Sequence, residues 1–296
     1  MIAPPSTSSV FRQVGGLDVL TWPVFDAFPL TALVTSRDGG VSAGAYGSLN
    51  LSYMVGDAPE NVLANRRRAA TALDTDLADF VFAAQVHGDV AQVVGAADRG
   101  RGALSAAGAV PGADVLVTAD PGTVLAVLAA DCVPIVLYDP RVHVLACAHS
   151  GWRGTVARTA AAAVRAMQSL GSRPADVVAA VGPAIPAARY QVGAQVAEAA
   201  TETFGDQAPD VLQPAGEGQW RFDLWAANRL VLRDAGVQDA HIHVTDVPTG
   251  PDSSSTNPAG RSFFSHRAQQ PCGRFAAIAR LDRPGRLDRT DRKETR

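Results

Sequence analysis

The side chains that carry chemistry are few in this chain. There are six histidines, three cysteines and a single lysine, Lys293, which lies in a charged terminal stretch. Schiff-base or P-loop chemistry needs an amine inside a folded site, so lysine-based catalysis is set aside. Two cysteines and two histidines fall together in VLAVLAADCVPIVLYDPRVHVLACAHSGWRGT, residues 124–155: Cys132, His143, Cys147 and His149. A further histidine, His87, ends an apolar run in AAQVHGDV. Together His87, Cys132 and His149 offer two nitrogens and one sulfur, which leave a tetrahedral zinc ion a fourth position for water or substrate. The same set describes a blue-copper site or a Cys–His nucleophile pair, and spacing alone does not separate the three.

The elements that must position these residues begin with a hairpin. Apolar runs at 132–138 and 142–149 flank DPR, a turn signal, so antiparallel pairing is the expected connection. An even loop centred between Pro140 and Arg141 makes paired residue numbers sum to 281. Cys132 then falls directly opposite His149, on one face, with Cβ atoms roughly 4.5 to 5.5 Å apart. His143, Leu145, Cys147 and His149 share that face by alternation. Cys147, in the strand interior, reads as core, because free cysteine is among the most buried residue types. His143, beside the turn, reads as a solvated strand-end histidine.

Other runs read as strands: LTALVTS (30–36), FVFAAQV (80–86), ADVLVTA (113–119), TVLAVLAA (123–130) and DVVAAVG (176–182). At least three helices separate them. The first follows GDAPENVLANRRRAATALD, where Asp57 and Glu60 suggest a capping box and Pro59 falls in the first turn. The second runs over 156–170 and stops at Gly171; the third follows Asp223 and stops at Gly236. Residues 98–112, DRGRGALSAAGAVPG, read as a long surface loop, and residues 1–9 and 282–296 as disordered tails. With no internal repeat and no composition break, residues 10–281 are expected to form a single mixed α/β domain.

Composition bounds the partners. At 296 residues and 47% hydrophobic content the chain can bury a large core without disulfides or metals. A net charge of -3 and no basic stripe argue against nucleic acid and for a small ligand. Three cysteines without CxxC are not a disulfide framework. No signal peptide and no membrane-length apolar run are visible, so the expectation is a cytoplasmic protein with no membrane partner, a monomer or homodimer.

In order from about residue 31 to 281, the segments TSRDGGVSAGAYGSLNL, VGDAPENVLANR, QVHGDV, ADVLVT, ADCVPIVLYD, AHSGWRGT, FDLWAANRLVL, and SFFSHR with GRFAA resemble those of the laccase-domain, or multicopper polyphenol oxidase, family. Its members are also described as purine nucleoside phosphorylases and as a peptidoglycan editing factor. The resemblance implies a four-layer α-β-β-α fold with mixed sheets and zinc, with copper possible, on His87, Cys132 and His149. It also implies phosphorolysis of adenosine, inosine and S-methyl-5'-thioadenosine, with adenosine deaminase side activity.

Phosphorolysis needs a phosphate clamp, for which arginine suits by its planar fork. Arg66 lies on the helical face of Leu63, Ala69, Ala70 and Leu73, and is either such a clamp or a stem snorkelling past the core edge. Arg37 and Asn50 lie in Gly- and Ser-rich loops suited to ligand contact, or to turn chemistry alone. Arg153, in GWRG, sits near the start of a helix, a natural anion site. Asp131, beside Cys132, could orient a ligand histidine or protonate the purine, provided the strand has ended there. His266 and Arg267 are candidate rim residues. Three functions compete: the zinc phosphorylase, a metal-free Cys132 hydrolase or amidase with His149 as base acting on peptidoglycan precursors, and a copper polyphenol oxidase. Four coppers need more histidines than six with one H-x-H, His241–His243, which leaves the oxidase least supported.

Overall fold

A computed structural model describes residues 8–250 and 263–282. The strands in chain order are β1 (Val10–Val14), β2 (Leu17–Thr21), β3 (Leu30–Thr35), β4 (Phe80–Ala84), β5 (Ala91–Val93), β6 (Val110–Pro111), β7 (Val115–Thr118), β8 (Val124–Ala129), β9 (Val133–Asp139), β10 (Val144–Ser150), β11 (Val178–Val181), β12 (Gln191–Val192), β13 (Leu212–Pro214), β14 (Trp220–Phe222), β15 (Ile242–Val244) and β16 (Phe275–Leu281). The helices are α1 (Pro59–Ala72), α2 (Trp152–Val156), α3 (Thr159–Ser169), α4 (Ala194–Phe204), α5 (Ala208–Val211) and α6 (Leu224–Asp234). A seven-stranded sheet has the order β1-β2-β3-β16-β8-β4-β6, and a six-stranded sheet the order β15-β11-β9-β10-β7-β5. Both mix parallel and antiparallel pairs.

Alternation along the strands assigns the layers. In β8, Leu125 and Val127 face the other sheet, while Val124 and Ala126 pack with Ala69, Ala70 and Leu73 of the α1 region. In β10, Leu145 and Cys147 join the layer between the sheets, and Val144, Ala146 and Ala148 meet Ala163, Val164 and Met167 of α3. Helix, sheet, sheet and helix therefore stack into one four-layer α-β-β-α domain, as expected. Cys147 is fully buried in the central layer.

The β9–β10 hairpin forms in a different register. His149 pairs with Pro134 and Ser150 with Val133, so paired numbers sum to 283, not 281. The turn holds four residues, 140–143, and the Asp139 carboxylate accepts the Arg141 N–H at 2.8 Å within it. His143 closes the turn with φ of 56°. Its ring lies 2.9 Å from the Tyr138 hydroxyl and 3.3 Å from the Asp282 carbonyl oxygen, so it is a bonded turn residue and not a solvated strand end.

Other boundaries differ as well. The capping box does not form: Asp57 accepts from Ser42 and Asn50, and the N-cap Ala58 has no side-chain bond. The helix expected over 156–170 forms as α3 from Thr159 to Ser169, and Arg158, whose φ is 63°, separates it from the short α2 that precedes it. Thr159 anchors the break, its hydroxyl 2.7 and 2.8 Å from the Gly88 and Gly154 carbonyl oxygens. The third helix starts as read, with Asp223 accepting the Ala226 N–H at 3.0 Å. Residues 98–112 are no mere surface loop, since Ala103 is buried and Arg101 accepts the Phe82 N–H through its carbonyl. Of the expected tails, 1–7 and 283–296 lie outside the described residues. Asp282 is held in place, accepting from Thr31 and Arg280. Among the described residues no helix is long and apolar enough to cross a membrane.

Candidate metal centre and cavity

His149 reaches the site because it is the last inter-sheet position of β10, two residues beyond Cys147. Cys132 and Asp131 lie in the crossing between β8 and β9, where strand alternation no longer applies. Asp131 takes a φ of 88° there, and both side chains line one cavity. The last pair of the hairpin is Ser150 with Val133, and just beyond it Gly151 packs against the Cys132 side chain. A Cβ on Gly151 would come within 2.6 Å of the Cys132 sulfur and 3.3 Å of the His87 ring, so glycine makes room for the cluster. His87 arrives from the loop after β4 with φ of 64°. The ligand atoms of His87, Cys132 and His149 all lie within 4.8 Å of one another. The two imidazoles meet edge to face, ring centres 4.9 Å apart.

Asp114, absent from the sequence candidates, ties this cluster together. Fully buried just before β7, it accepts the His149 Nδ1–H at 2.9 Å. It also accepts the backbone N–H groups of Val86, His87 and Gly88 at 3.1, 3.0 and 2.7 Å. The first bond fixes the His149 tautomer with Nε2 free to coordinate; the other three hold the loop that carries His87. Its only sequence signal is an acidic residue opening the apolar run ADVLVT, which reads equally well as a strand start.

The electrostatics follow from burial and these contacts. Burial alone would raise the Asp114 carboxyl, but the His149 hydrogen bond and the N–H groups of Gly88 and Val86 hold it below the usual range. Burial likewise opposes the Cys132 thiolate, yet the His149 charge and hydrogen bonds from His149 and His87 outweigh it and lower the thiol pKa. His149 is raised against the burial penalty by Cys132 and Asp114. Cys147, with burial alone acting on it, is raised. Two imidazoles and a readily ionised thiol, one imidazole oriented by a buried carboxylate, are a donor set that fits zinc.

The cluster opens into a cavity of about 850 Å³. Arg66, Asp131, His266 and Arg267 line it, as do Tyr190 and Arg274, which the sequence reading did not single out. Asp131 accepts the Thr249 hydroxyl at 2.5 Å and the Arg267 N–H at 2.7 Å, and so does not orient a ligand histidine. Burial, first, and the Cys132 charge raise the Tyr190 phenol. Three candidates lie off the cavity lining. Arg37 spends Nε and Nη2 on the Gly47 carbonyl and stacks on Phe264. Asn50, fully buried, accepts the N–H groups of Ser52 and Arg274 and donates to Asp57, supporting the cavity from behind. Arg153 is exposed and packs over Trp152, in a helix too short to present an anion site.

Residues 31–282 match the family described as multi-copper polyphenol oxidoreductase laccase. The chain is 39% identical over 247 residues to a protein of Geobacillus stearothermophilus named purine nucleoside phosphorylase YlmD, covering 83% of this chain and 88% of that one. It is 42% identical over 216 residues to a purine nucleoside phosphorylase of Deinococcus radiodurans, 70% of this chain and 76% of that one. The crystal structure of YlmD from Geobacillus stearothermophilus superposes with a TM-score of 0.85 at 36% identity, covering 93% of this chain and 100% of that one.

Proposed function

Because the chain belongs to the multi-copper polyphenol oxidoreductase laccase family, with relatives named purine nucleoside phosphorylases, we propose that it is a zinc-dependent purine nucleoside phosphorylase. Its proposed substrates are adenosine, inosine and S-methyl-5'-thioadenosine with phosphate, and adenosine deamination is a side activity. The carrying observation is the charge pattern of the cavity. Arg66, Arg267, Arg274 and His266 line it, and among its lining residues Asp131 is the one carboxylate, already bound by two donors. Such a lining attracts phosphate, while Phe82, Leu128 and Tyr190 offer apolar surface to a purine.

His87, Cys132 and His149 would hold the zinc, which supplies Lewis-acid stabilisation of developing negative charge. The chain's own residues do the rest. In phosphorolysis a phosphate oxygen bonds to the ribose C1', and the purine leaves with the electron pair of the glycosidic bond. The cationic side chains gather phosphate into the cavity. Asp131, fixed by Thr249 and the Arg267 backbone, is placed to accept a hydrogen bond from a ribose hydroxyl or a purine N–H. Copper would also be accepted by this donor set under the usual affinity order. The protein is proposed to work in the cytoplasm as a monomer or homodimer.

A second reading has its own support. Without metal, Cys132, His149 and Asp114 form a nucleophile, base and orienting carboxylate, the arrangement of a Cys132 hydrolase or amidase acting on peptidoglycan precursors. Incubating adenosine with and without phosphate, and reading adenine, inosine and hypoxanthine, decides between them. The phosphorylase reading expects phosphate-dependent base release, about one zinc per chain, and loss of both in Cys132→Ala. Full activity in metal-free protein would reject it.

A further inference from the structure

Tyr190, the residue before β12, lines the cavity together with Cys132, Asp131 and Arg267. Its ring is held in place. Phe222 of β14 stacks on it with ring centres 6.5 Å apart, and the Arg267 guanidinium lies over it, 5.0 Å from the ring centre. Arg267 is itself fastened, donating its backbone N–H to Asp131 and Nη1 to the Gln191 carbonyl at 3.0 Å. The Tyr190 carbonyl accepts the Phe222 N–H at 3.1 Å. The hydroxyl, by contrast, has no hydrogen-bond partner among the described residues and is not sealed inside the protein. Burial is the first influence on the phenol, and three of the charges that follow it, those of Cys132, Arg267 and Asp131, belong to the cavity lining. The hydroxyl therefore looks into the cavity beside the cluster.

A phenol with an ordinary pKa of about 10 is protonated at neutral pH, and burial raises this one further. Of the neutral hydroxyl and amide side chains in the lining, Ser52 and Gln85 are paired within the protein and the Tyr53 hydroxyl is sealed from solvent. Tyr190 is the one left with an open O–H. The arginines of the lining suit phosphate, whereas a leaving purine needs a donor at the ring nitrogens that gain charge as the glycosidic bond breaks. Adenine and hypoxanthine differ at C6, an amine in one and a carbonyl in the other, but share N7, an acceptor on the edge away from the ribose. We propose that the Tyr190 hydroxyl is a catalytic hydrogen-bond donor to N7 of the departing purine. This assignment rests on the phosphorylase reading. A phosphate oxygen bonds to C1' and the glycosidic electron pair passes to the purine. Tyr190 stabilises the charge at N7 and keeps its own proton, and the proton the base gains is the one that hydrogen phosphate gives up.

Calorimetric titration of the full chain with inosine in the absence of phosphate measures this contact without turnover. The matched probe is 7-deazainosine, in which C–H replaces N7. The wild type should bind inosine about fivefold more tightly than 7-deazainosine, the size of one net hydrogen bond. Tyr190→Phe should bind the two alike. Its melting temperature should match the wild type, because the ring stays on Phe222 and the lost hydroxyl has no partner among the described residues. With phosphate present, kcat for hypoxanthine release by the variant should fall about a hundredfold, as for loss of one donor aimed at developing charge. Wild-type phosphorolysis with equal discrimination in wild type and variant, or with none in either, overturns this proposal alone, as does an unchanged kcat in Tyr190→Phe. Discrimination that Tyr190→Phe abolishes, in a protein that shows no phosphorolysis, would sink the phosphorylase reading and leave Tyr190 as the contact that holds the purine.

Discussion

A carboxylate that accepts four N–H groups has no room for an amide in its place. If the oxygen of Asp114→Asn faces His149 and the His87 N–H, its NH₂ confronts the N–H groups of Val86 and Gly88. Flipped, it forces His149 to accept at Nδ1 and to carry its proton on Nε2, where a metal would bind. Zinc affinity of Asp114→Asn, measured by chelator competition, should therefore fall by about 10- to 100-fold while the far-ultraviolet circular dichroism is kept. Unchanged affinity would mean that Asp114 merely fastens a loop. Cys132 offers a second test. Its lowered pKa keeps the thiolate in metal-free protein at pH values below the ordinary thiol range near about 8.5, and the thiolate disappears as pH falls through the lowered value. Ultraviolet thiolate absorbance should show that step and lose it in Cys132→Ser. In His149→Gln it should move upward, because the largest lowering influence is gone. Cys132 and His149 were legible because strand ends in an apolar run leave few other duties for such side chains. Asp114 was not, since its four partners come from two segments remote in sequence.

The hairpin shows how an element can differ in detail and still deliver its residues. A two-residue shift between the expected and observed registers preserves every face, because the side-chain period is two. What changes is the partner: His149 pairs with Pro134 and not with Cys132, and Gly151 packs against the Cys132 side chain. Gly151→Ala should thus cost metal binding more than fold, since the added methyl meets the sulfur at 2.6 Å. Metal content after purification, compared with the melting temperature of metal-free protein, checks this; a variant that retains full zinc would remove the steric argument. Apolar runs identified seven strands and three helical segments, but the break at Arg158 and the absent capping box depended on tertiary partners. Thr159 is pulled toward Gly88, and Asp57 toward Ser42 and Asn50. The 98–112 segment carries turn residues throughout, so nothing local marks it as the source of two carbonyls for Arg66.

Across the whole molecule, the layer between the sheets draws residues from both. Leu125 and Val127 of one sheet meet Leu145 and Cys147 of the other, together with Phe263 and Phe264. Neither sheet keeps this face dry without its partner, so the layers should unfold together. Cys147, buried and with a raised thiol pKa, reports on it: labelling by a thiol reagent should track the loss of circular dichroism through a denaturant titration. Reactivity at lower denaturant would mean that the sheets part first. The four-layer stacking was implied by resemblance, whereas the sequence pattern alone supported only mixed α/β, because apolar runs do not state which sheet each strand joins.

One carboxylate secures both imidazoles of the centre, and the sulfur is not among its partners. His149 is bonded to Asp114 by its ring and His87 by its backbone, whereas Cys132 sits on a separate crossing. Of the three thiols, Cys147 and Cys272 are buried and Cys132 is partly accessible, with thiolate character favoured. Oxidants will therefore find Cys132 first. Conversion to a sulfinic acid would remove one donor and leave the two nitrogens in place, so oxidative damage would silence the centre while the fold around it persists.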